Sequence, residues 1–167
     1  MPIINIVYGD LLQQPVDVIV NAWNRNIIPW WLLLPQGVSG AIKKRAGYAP
    51  FWELGRMGAI PLGGAVQTSA GRLPYKRIIH VAGISMWWRS SRQSVQDSVA
   101  SAMGLVHQHG YQSVAFPIIG AGTGGAGEEG ALQWMLEAFQ PIQSSAQVVI
   151  VKYRNHPNYP NHQNNQQ

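Results

Sequence analysis

The chain has 167 residues, of which 46% are hydrophobic and 11% are charged, so it is long enough for one globular domain and too apolar to be disordered throughout. Its 12 lysines and arginines against 7 acidic residues give a formal net charge of +5, which favours phosphorylated or polyanionic partners. The lack of cysteine excludes disulfides, thiolate catalysis and cysteine-based zinc sites, and the spacing of the five histidines predicts no metal site.

Apolar, β-branched runs alternate with segments of helical periodicity along the chain. In chain order the predicted elements are strands at 3–8 and 16–20, helices at 37–46 and 50–54, strands at 65–68 and 77–81, a helix at 93–109, a strand at 113–117, a helix with core residues Leu132, Leu136 and Phe139, and a strand at 147–153. This order predicts an α/β fold, a three-layer α/β/α sandwich with a mixed, mostly parallel central sheet of about six strands.

Polar side chains follow the first two predicted strands. Asp10 comes after the first strand, and Asn21 and Asn24 follow the second. Ligands of open α/β sheets bind at this carboxyl edge, so we expect these side chains at a ligand site. The carboxylate of Asp10 suits the exocyclic amine of adenine, although an acid after Gly9 is equally typical of a turn cap. The two amides suit the hydroxyls of a sugar.

The segment 25–35 is strongly apolar from Ile27 to Leu34, contains Trp30 and Trp31, and includes two prolines, Pro29 and Pro35. It is too short to span a membrane. It is interpreted as a packed insertion, a lid, an oligomer surface, or a pair of tryptophans that flank a ligand cleft. In the helix that follows, the run Lys43, Lys44 and Arg45 is predicted to lie on the exposed side.

A glycine-rich loop follows the predicted strand 113–117. Six glycines lie between Gly120 and Gly130, and they leave backbone N–H groups accessible immediately before a helix. This pattern is typical of a loop that holds a phosphate. The alternative interpretation is a flexible surface loop.

The first residues of the sequence do not predict a signal peptide. Residues 1–5 lack the basic region and cleavage site of a signal peptide, and no apolar run approaches about 20 residues. We therefore expect a cytoplasmic protein without a membrane segment. We expect a single domain over residues 1–154 and a mobile polar tail over residues 155–167, which has nothing to bury.

Five motifs, in this order along residues 3–153, resemble the macrodomain family. They are GD at 9–10, VDVIVNAWN at 16–24, GVSGAI at 37–42, LPYKRIIH at 73–80 and SVAFPIIGAG at 113–122. The resemblance implies a pocket for ADP-ribose, as ligand or product, with no cofactor and no metal. Asp10 would contact adenine, Tyr153 would lie against it, two loops would surround the diphosphate, and Asn24 would contact the distal ribose. The ligand-binding residues implied are Asp10, Leu11, Asn21, Ala22, Asn24, Gly37, Val38, Ser39, Gly40, Gly120, Ala121, Gly122, Thr123, Gly124, Gly125 and Tyr153.

One departure from the family concerns catalysis. Ser39 stands where the MacroD-type hydrolases of the family carry an aspartate that helps to position the attacking water. A serine is not a general base at neutral pH without activation. The candidate catalytic residues are therefore Asn24, Ser39 and Glu53, which is a spare carboxylate and is otherwise interpreted as a surface residue of a helix.

Three functions stay open at this point. The first is an ADP-ribosyl hydrolase acting on modified protein or nucleic acid, and the positive charge fits a nucleic acid at least as well as a protein. The second is a module that binds ADP-ribose without turnover, favoured by Ser39. The third is an RNA- or DNA-binding domain. It would use the basic runs and a pair of tryptophans beside arginines, namely Lys43, Lys44, Arg45, Lys76, Arg77, Arg89 and Arg92 with Trp87 and Trp88.

Overall fold

The computed structural model describes residues 1–32, 37–85, 89–121 and 127–153. The predictions for Gly122, Thr123, Gly124 and Gly125, for Trp87 and Trp88, and for the tail 155–167 fall outside these ranges.

Six strands form one mixed sheet. The strands are β1 (Ile3–Gly9), β2 (Val18–Trp23), β3 (Ala65–Thr68), β4 (Arg77–Ala82), β5 (Ser113–Pro117) and β6 (Gln147–Tyr153). Their spatial order is β1-β6-β5-β2-β4-β3. All neighbouring strands are parallel except β3, which runs antiparallel to β4. The predicted mixed, mostly parallel sheet is confirmed.

Within the described ranges, four helices cover the two faces of the sheet. They are α1 (Gly37–Ala46), α2 (Ala49–Gly55), α3 (Arg92–His109) and α4 (Gly127–Phe139), and two short 3-10 helices occur at Leu11–Gln13 and Trp30–Leu32. Along β2, Val18 and Val20 face the cluster under α3 and α4, whereas Ile19 faces the cluster under α1 and α2. Because successive side chains of a strand alternate between faces, a strand buried on both sides reads as a continuous apolar run. The predicted three-layer α/β/α fold is confirmed.

Local signals explain the limits of α3, the longest helix among the described residues. Ser91 caps its first turn, with its side chain accepting from Ser94 N–H at 3.0 Å and its own N–H donating to Ser94 Oγ at 2.9 Å. Gly110 ends it in the left-handed conformation with φ +66°. None of the helices in the described ranges is long and apolar enough to cross a membrane.

Three local predictions differ from the structure. The second strand was expected at 16–20 and forms at Val18–Trp23, because its pairing with β4 continues through Trp23 and Ala82. Asn21 and Ala22 therefore lie within the strand and not after it. Leu136 was expected in the core of the last helix and is only partly buried, whereas Ala131 and Met135 are buried there. Lys43 was expected on the exposed side of α1 and is buried.

Candidate functional site

The ends of three strands and the beginning of α1 assemble the candidate site. Asp10 follows β1, Tyr153 ends β6 and pairs in register with Gly9, and Asn24 follows β2. Parallel strands direct their carboxyl ends to one edge of the sheet, so these residues share the edge at which α/β proteins bind ligands. At the same edge β5 leads into Gly120, whose φ is +84°.

Both carboxylate oxygens of Asp10 are engaged. Oδ1 accepts from Leu12 N–H at 2.9 Å and caps the first 3-10 helix, and Oδ2 pairs with Arg45 Nη1 at 2.9 Å. The turn-capping alternative is thus what the structure shows. The side chain keeps 31% of its surface exposed, so it could still be reached by a ligand. The contact with adenine stays a prediction, and in it adenine and Arg45 would share Oδ2 of Asp10. Leu11, also predicted to contact the ligand, is buried in the 3-10 helix.

Tyr153 is an exposed aromatic residue at the same edge of the sheet as Asp10. Its surface is 42% accessible, and its position opposite Gly9 places it next to the turn that carries Asp10. The preceding residue, Lys152, is buried and donates from Nζ to Glu129 Oε1 at 2.8 Å, with Nζ 5.5 Å from the ring centroid of Tyr8. A planar ligand could therefore lie against Tyr153 on a wall fixed by β6.

Asn21 lies beneath the site surface and is fully buried. Its Nδ2 is 3.0 Å from His80 Nδ1, and its Oδ1 accepts from Ser39 Oγ at 2.8 Å. On the far side of the imidazole, His80 Nε2 is 2.8 Å from Thr68 Oγ1, which donates to the carbonyl of Ser69 at 2.9 Å. A chain of hydrogen bonds therefore runs from α1 through β2 and β4 to the end of β3. Both amide atoms of Asn21 have a partner within the protein, so neither is free for the predicted contact with a sugar.

The direction of every bond in this chain follows from its two ends. Thr68 donates to a carbonyl, so its oxygen accepts the proton on His80 Nε2, and His80 Nδ1 is left to accept from the amide of Asn21. Complete burial lowers the pKa of His80 to about 3, which keeps the ring neutral. The amide of Asn21 is thereby oriented with its oxygen toward Ser39.

The hydroxyl proton of Ser39 is already engaged in this chain of hydrogen bonds. Its hydroxyl donates to Asn21 Oδ1 and lies 3.4 Å from the carbonyl oxygen of Ala22. None of the described residues places a base against this hydroxyl, so Ser39 is not an activated nucleophile. Its oxygen can still accept a hydrogen bond. The serine is therefore equipped to orient a water or a ribose hydroxyl.

Asn24 is the amide best placed to meet a ligand. It is 9% exposed, and its Oδ1 accepts from Asn26 N–H at 2.6 Å, whereas no described residue engages its amide nitrogen. Asn26 has φ +59° and donates to the carbonyls of Leu54 at 2.7 Å and Gly58 at 2.8 Å. These bonds fix the loop to the end of α2, so the donor of Asn24 is held ready for an acceptor.

The first turn of α1 contains the other predicted loop residues. Gly37 has φ +58°, Val38 packs against the apolar cluster under α1, and Gly40 is buried. The backbone N–H groups of a helix start have no partner within the helix and suit an anion. The second loop contributes Gly120 and the half-buried Ala121 to the described part of the chain.

Lys43 is buried because it lies one turn after Ser39, on the side of α1 that packs against β2. Its Nζ donates to the carbonyl of Trp30 at 3.3 Å and lies 5.1 Å from the ring centroids of both Trp23 and Phe51. Burial lowers the pKa of Lys43. No ion pair with another described residue compensates its charge. The basic run predicted as a solvated surface is thus divided, with only Lys44 and Arg45 exposed.

No hydrogen bond or ion pair among the described residues joins Glu53 to the other candidate catalytic residues, Asn24 and Ser39. Its Oε2 accepts from Ser69 N–H at 2.8 Å and ties α2 to the end of β3. This supports the structural alternative, and a catalytic role stays a prediction. Within the described ranges no group of His, Asp or Glu residues could hold a metal ion.

A concavity of about 880 Å³ opens at the opposite edge of the sheet. It lies between the end of α3 and segment 143–147 and is lined by uncharged polar and apolar side chains. Its lining includes no carboxylate, lysine or arginine. The charged and amide groups described above all lie at the other edge. We therefore place the candidate site at the carboxyl ends of the strands.

Sequence reasoning missed His80 and Thr68 as members of the site. A signal was available, because His80 interrupts the apolar run of β4, and a polar side chain in a strand buried on both faces requires partners. Which partners they are depends on the neighbouring strands and could not be read from the spacing.

Comparisons with known proteins agree with this geometry. The Macro domain family matches residues 20–135. A protein of Citrobacter rodentium named O-acetyl-ADP-ribose deacetylase is 35% identical over 162 residues, which cover 90% of this chain and 88% of that protein. A protein of the same name from Escherichia coli K12 is 38% identical over 130 residues, or 73% of this chain and 70% of that protein. A solved mutant of the Oceanobacillus iheyensis macrodomain with ADPR is 28% identical, has a TM-score of 0.75, and aligns over 89% of this chain and 83% of its own.

The family match spans more than half of the chain, and the Citrobacter rodentium relative is similar over nearly its whole length. The six-stranded sheet and its two helical layers are those of the solved macrodomain. The chain therefore belongs to the Macro domain family.

Proposed function

We propose that this chain binds ADP-ribose at the carboxyl edge of its sheet and hydrolyses ADP-ribosyl groups from modified molecules. The observation that carries the proposal is the presence, at one edge of the sheet, of two polar atoms that can each form a further hydrogen bond. They are the amide nitrogen of Asn24 and the oxygen of Ser39, which lies in the first turn of a helix suited to an anion. The deacetylase name of the Citrobacter rodentium relative and the ADPR in the solved neighbour support this substrate class.

Each part of ADP-ribose has a counterpart in the site. Adenine would lie between the carboxylate of Asp10 and the ring of Tyr153. The diphosphate would accept from the first turn of α1, where the helix dipole favours negative charge, and from the loop that begins at Gly120. The distal ribose would accept from the amide of Asn24.

Hydrolysis at this site does not require a carboxylate base. Ser39 would accept one proton of a water in a hydrogen bond, and the diphosphate of the substrate would accept the other, so that the oxygen of the water is directed at the reacting carbon. As this oxygen bonds to that carbon, the bond to the leaving oxygen breaks, and the proton of the water passes by way of the phosphate to the leaving group. The backbone N–H groups at the start of α1 would stabilise the negative charge that develops on the substrate in the transition state. No metal or cofactor enters this scheme.

The acceptor that carries ADP-ribose is the finer part of the proposal. The formal charge of +5 favours a nucleic acid over an acidic protein, and the chain is proposed to act on either in the cytoplasm as a single domain. The second candidate function is a module that binds ADP-ribose without turnover. The observation that favours it is the lack of a base in contact with Ser39 among the described residues.

The test is a release assay on a panel of substrates. The panel contains O-acetyl-ADP-ribose and ADP-ribose attached to carboxylates, serine, arginine, thymidine, guanosine and a terminal phosphate. We expect release from at least one member, and slower release by Asn24→Ala. The matched control is Asn5→Ala, which removes an exposed amide from the edge strand β1 and should leave release unchanged. Binding of ADP-ribose without release from any member would establish the binding module, and no binding would refute both.

A further inference from the structure

The outer side of α2 carries large aromatic residues that the fold does not bury. Tyr48 immediately precedes the helix and is 67% exposed, and Trp52, four residues later on the same side, is 63% exposed. The inner side buries Phe51 and Leu54. The ring centroid of Trp30 lies 5.4 Å from that of Tyr48. We call Trp30, Tyr48 and Trp52 the aromatic surface.

The core explains only part of this surface, because Trp30 packs against the apolar cluster under α1 and α2 with its ring centroid 6.3 Å from that of Phe51, whereas Tyr48 and Trp52 stay exposed. Phe51 packs inward against Trp23 and His80, with centroid distances of 5.4 and 5.9 Å, and anchors α2 without help from the outer side. Single exposed apolar residues are common, but neighbouring exposed aromatic rings mark contact surfaces. Trp31, which follows Trp30, is 66% exposed as well.

The aromatic surface adjoins the candidate site. Asn26, two residues after Asn24, is bonded to the end of α2 through the carbonyls of Leu54 and Gly58. Trp30 accepts from Lys43, which lies one turn after Ser39 on α1. The surface therefore flanks the part of the site assigned to the distal ribose. A substrate whose ADP-ribose occupied the site would extend its acceptor in this direction.

The segment that carries the aromatic surface is rich in basic residues, one of which, Arg45, is paired with Asp10. Residues 18–72 contain a single acid, Glu53, and its carboxylate accepts from Ser69 N–H. Segment 89–153 has a different balance, because four acids offset its three basic residues. The basic residues of 18–72 are Arg25, Lys43, Lys44, Arg45, Arg56 and Arg72.

Two arginines bracket the exposed rings. Arg56 is one turn after Trp52 and is exposed. The guanidinium of Arg72 lies against Gly47, the neighbour of Tyr48, since a Cβ at that glycine would be 3.5 Å from its Nη2. No described residue forms an ion pair with either arginine. Exposed aromatic rings beside unpaired cations are the two components of surfaces that hold unpaired nucleobases and their phosphates.

We propose that the aromatic surface, with Arg56 and Arg72, binds the unpaired nucleotides next to the modified position of an ADP-ribosylated nucleic acid. The inference rests on the proposed function for the ADP-ribose part of the substrate. A second copy of the chain fits the surface less well, because it would bring the same uncompensated positive charges together. The bases adjacent to the modification would stack on Tyr48 and Trp52, and the phosphates between them would pair with the arginines.

The test measures binding of a fluorescein-labelled, unmodified single-stranded DNA of about 12 nucleotides by anisotropy over a range of salt concentrations. We expect Trp52→Ala and Tyr48→Ala each to weaken binding about tenfold, and Trp52→Phe to retain most of it. Arg56→Ala should weaken binding and lower the salt slope by about 0.7. The matched control Arg77→Ala removes the same charge from the start of β4, at the opposite edge of the sheet, and should bind as wild type.

Three outcomes would overturn the proposal. They are equal affinity of wild type and Trp52→Ala for the DNA, equal losses for Arg56→Ala and Arg77→Ala, and a concentration-dependent dimer that Trp52→Ala dissociates. An RNA of the same sequence compares unpaired RNA bases with unpaired DNA bases. A duplex DNA of the same sequence has its bases paired, so duplex binding equal to single-strand binding would also contradict the proposal. Calorimetry with free ADP-ribose keeps the two proposals apart. The affinity for ADP-ribose should be the same in wild type and Trp52→Ala. If the wild type binds the DNA through Trp52 but does not bind ADP-ribose, the proposed function is refuted and the DNA-binding surface is not.

Discussion

Acidification provides a quantitative test of the buried hydrogen-bond chain below the site. His80 is fully buried and touches Asn21 and Thr68 through its two nitrogens. Burial lowers its pKa to about 3, whereas an imidazole in the unfolded chain has a pKa of about 6.5. Between these two values the unfolded chain binds a proton that the folded protein does not, so stability falls as the pH falls through this window.

The size of the effect follows from the difference between the two pKa values. Between pH 7 and pH 5, protonation of this ring in the unfolded chain lowers the free energy of unfolding by about 2 kcal/mol. The whole window down to pH 3 corresponds to about 5 kcal/mol, as an order of magnitude. Above pH 7 the ring is neutral in both states and contributes no dependence on pH.

The assay is urea unfolding at pH 7, 6 and 5 of wild type, His80→Gln and the control His107→Gln, which removes an exposed histidine of α3. At pH 7 His80→Gln should be less stable by about 1–3 kcal/mol, because Asn21 and Thr68 lose a well-placed partner. On going to pH 5 its deficit should narrow by about 2 kcal/mol, since it has no proton to bind in the unfolded state. His107→Gln should follow wild type at each pH.

A constant deficit of His80→Gln between pH 7 and pH 5 would refute the reasoning, because it would mean that the ring binds its proton equally in both states. Nitrogen NMR of the wild type offers a second check of the same chain. The proton should be found on Nε2 of His80 and not on Nδ1, since Nδ1 accepts from Asn21.

Three further predictions concern single positions. Ser39→Ala should lower kcat about tenfold with little change in KM, because it removes the acceptor for water, together with the hydrogen bond to Asn21 Oδ1 beneath the site; an increase in KM at constant kcat in the release assay would argue against this role. Asn26→Ala should lower the free energy of unfolding by about 2–3 kcal/mol and Asn26→Gly by less, as glycine keeps the φ of +59° that alanine disfavours; equal losses in urea unfolding would contradict the strain component. Gly71→Ala should destabilise the protein by more than about 2 kcal/mol, because φ at Gly71 is +56° and the added Cβ would overlap the carbonyl oxygen of Ala46. Gly104→Ala, within α3 and with open space around it, should stabilise the protein by about 0.5–1 kcal/mol. Equal melting temperatures of the two variants would refute this prediction.

The sequence was sufficient for the order of the layers and for most element limits. The predicted strands at 65–68, 113–117 and 147–153 agree with β3, β5 and β6, because apolar runs bounded by turn residues have few other solutions. The strand at 16–20 was placed too early, since Asn21 resembles a polar strand end. Only the pairing of Asn21 with His80 on β4 shows that the strand continues.

The site was predicted less completely than the fold. The positions of Asp10 and Asn24 at one edge follow from the rule for parallel sheets, but their present partners do not. Arg45 on Asp10 and the buried environment of Lys43 arise from the docking of α1, which a local charge pattern cannot reveal. The burial of Asn21 among Ser39 and His80 is likewise a product of three elements that are distant in sequence.

Titration of ADP-ribose into the wild type and Asn24→Ala by calorimetry tests the central claim most directly. We predict saturable binding to the wild type and a loss of about threefold to tenfold in Asn24→Ala, the effect of one hydrogen bond to the distal ribose. A wild type that shows no saturable binding would contradict the account, and so would two proteins that bind ADP-ribose equally well.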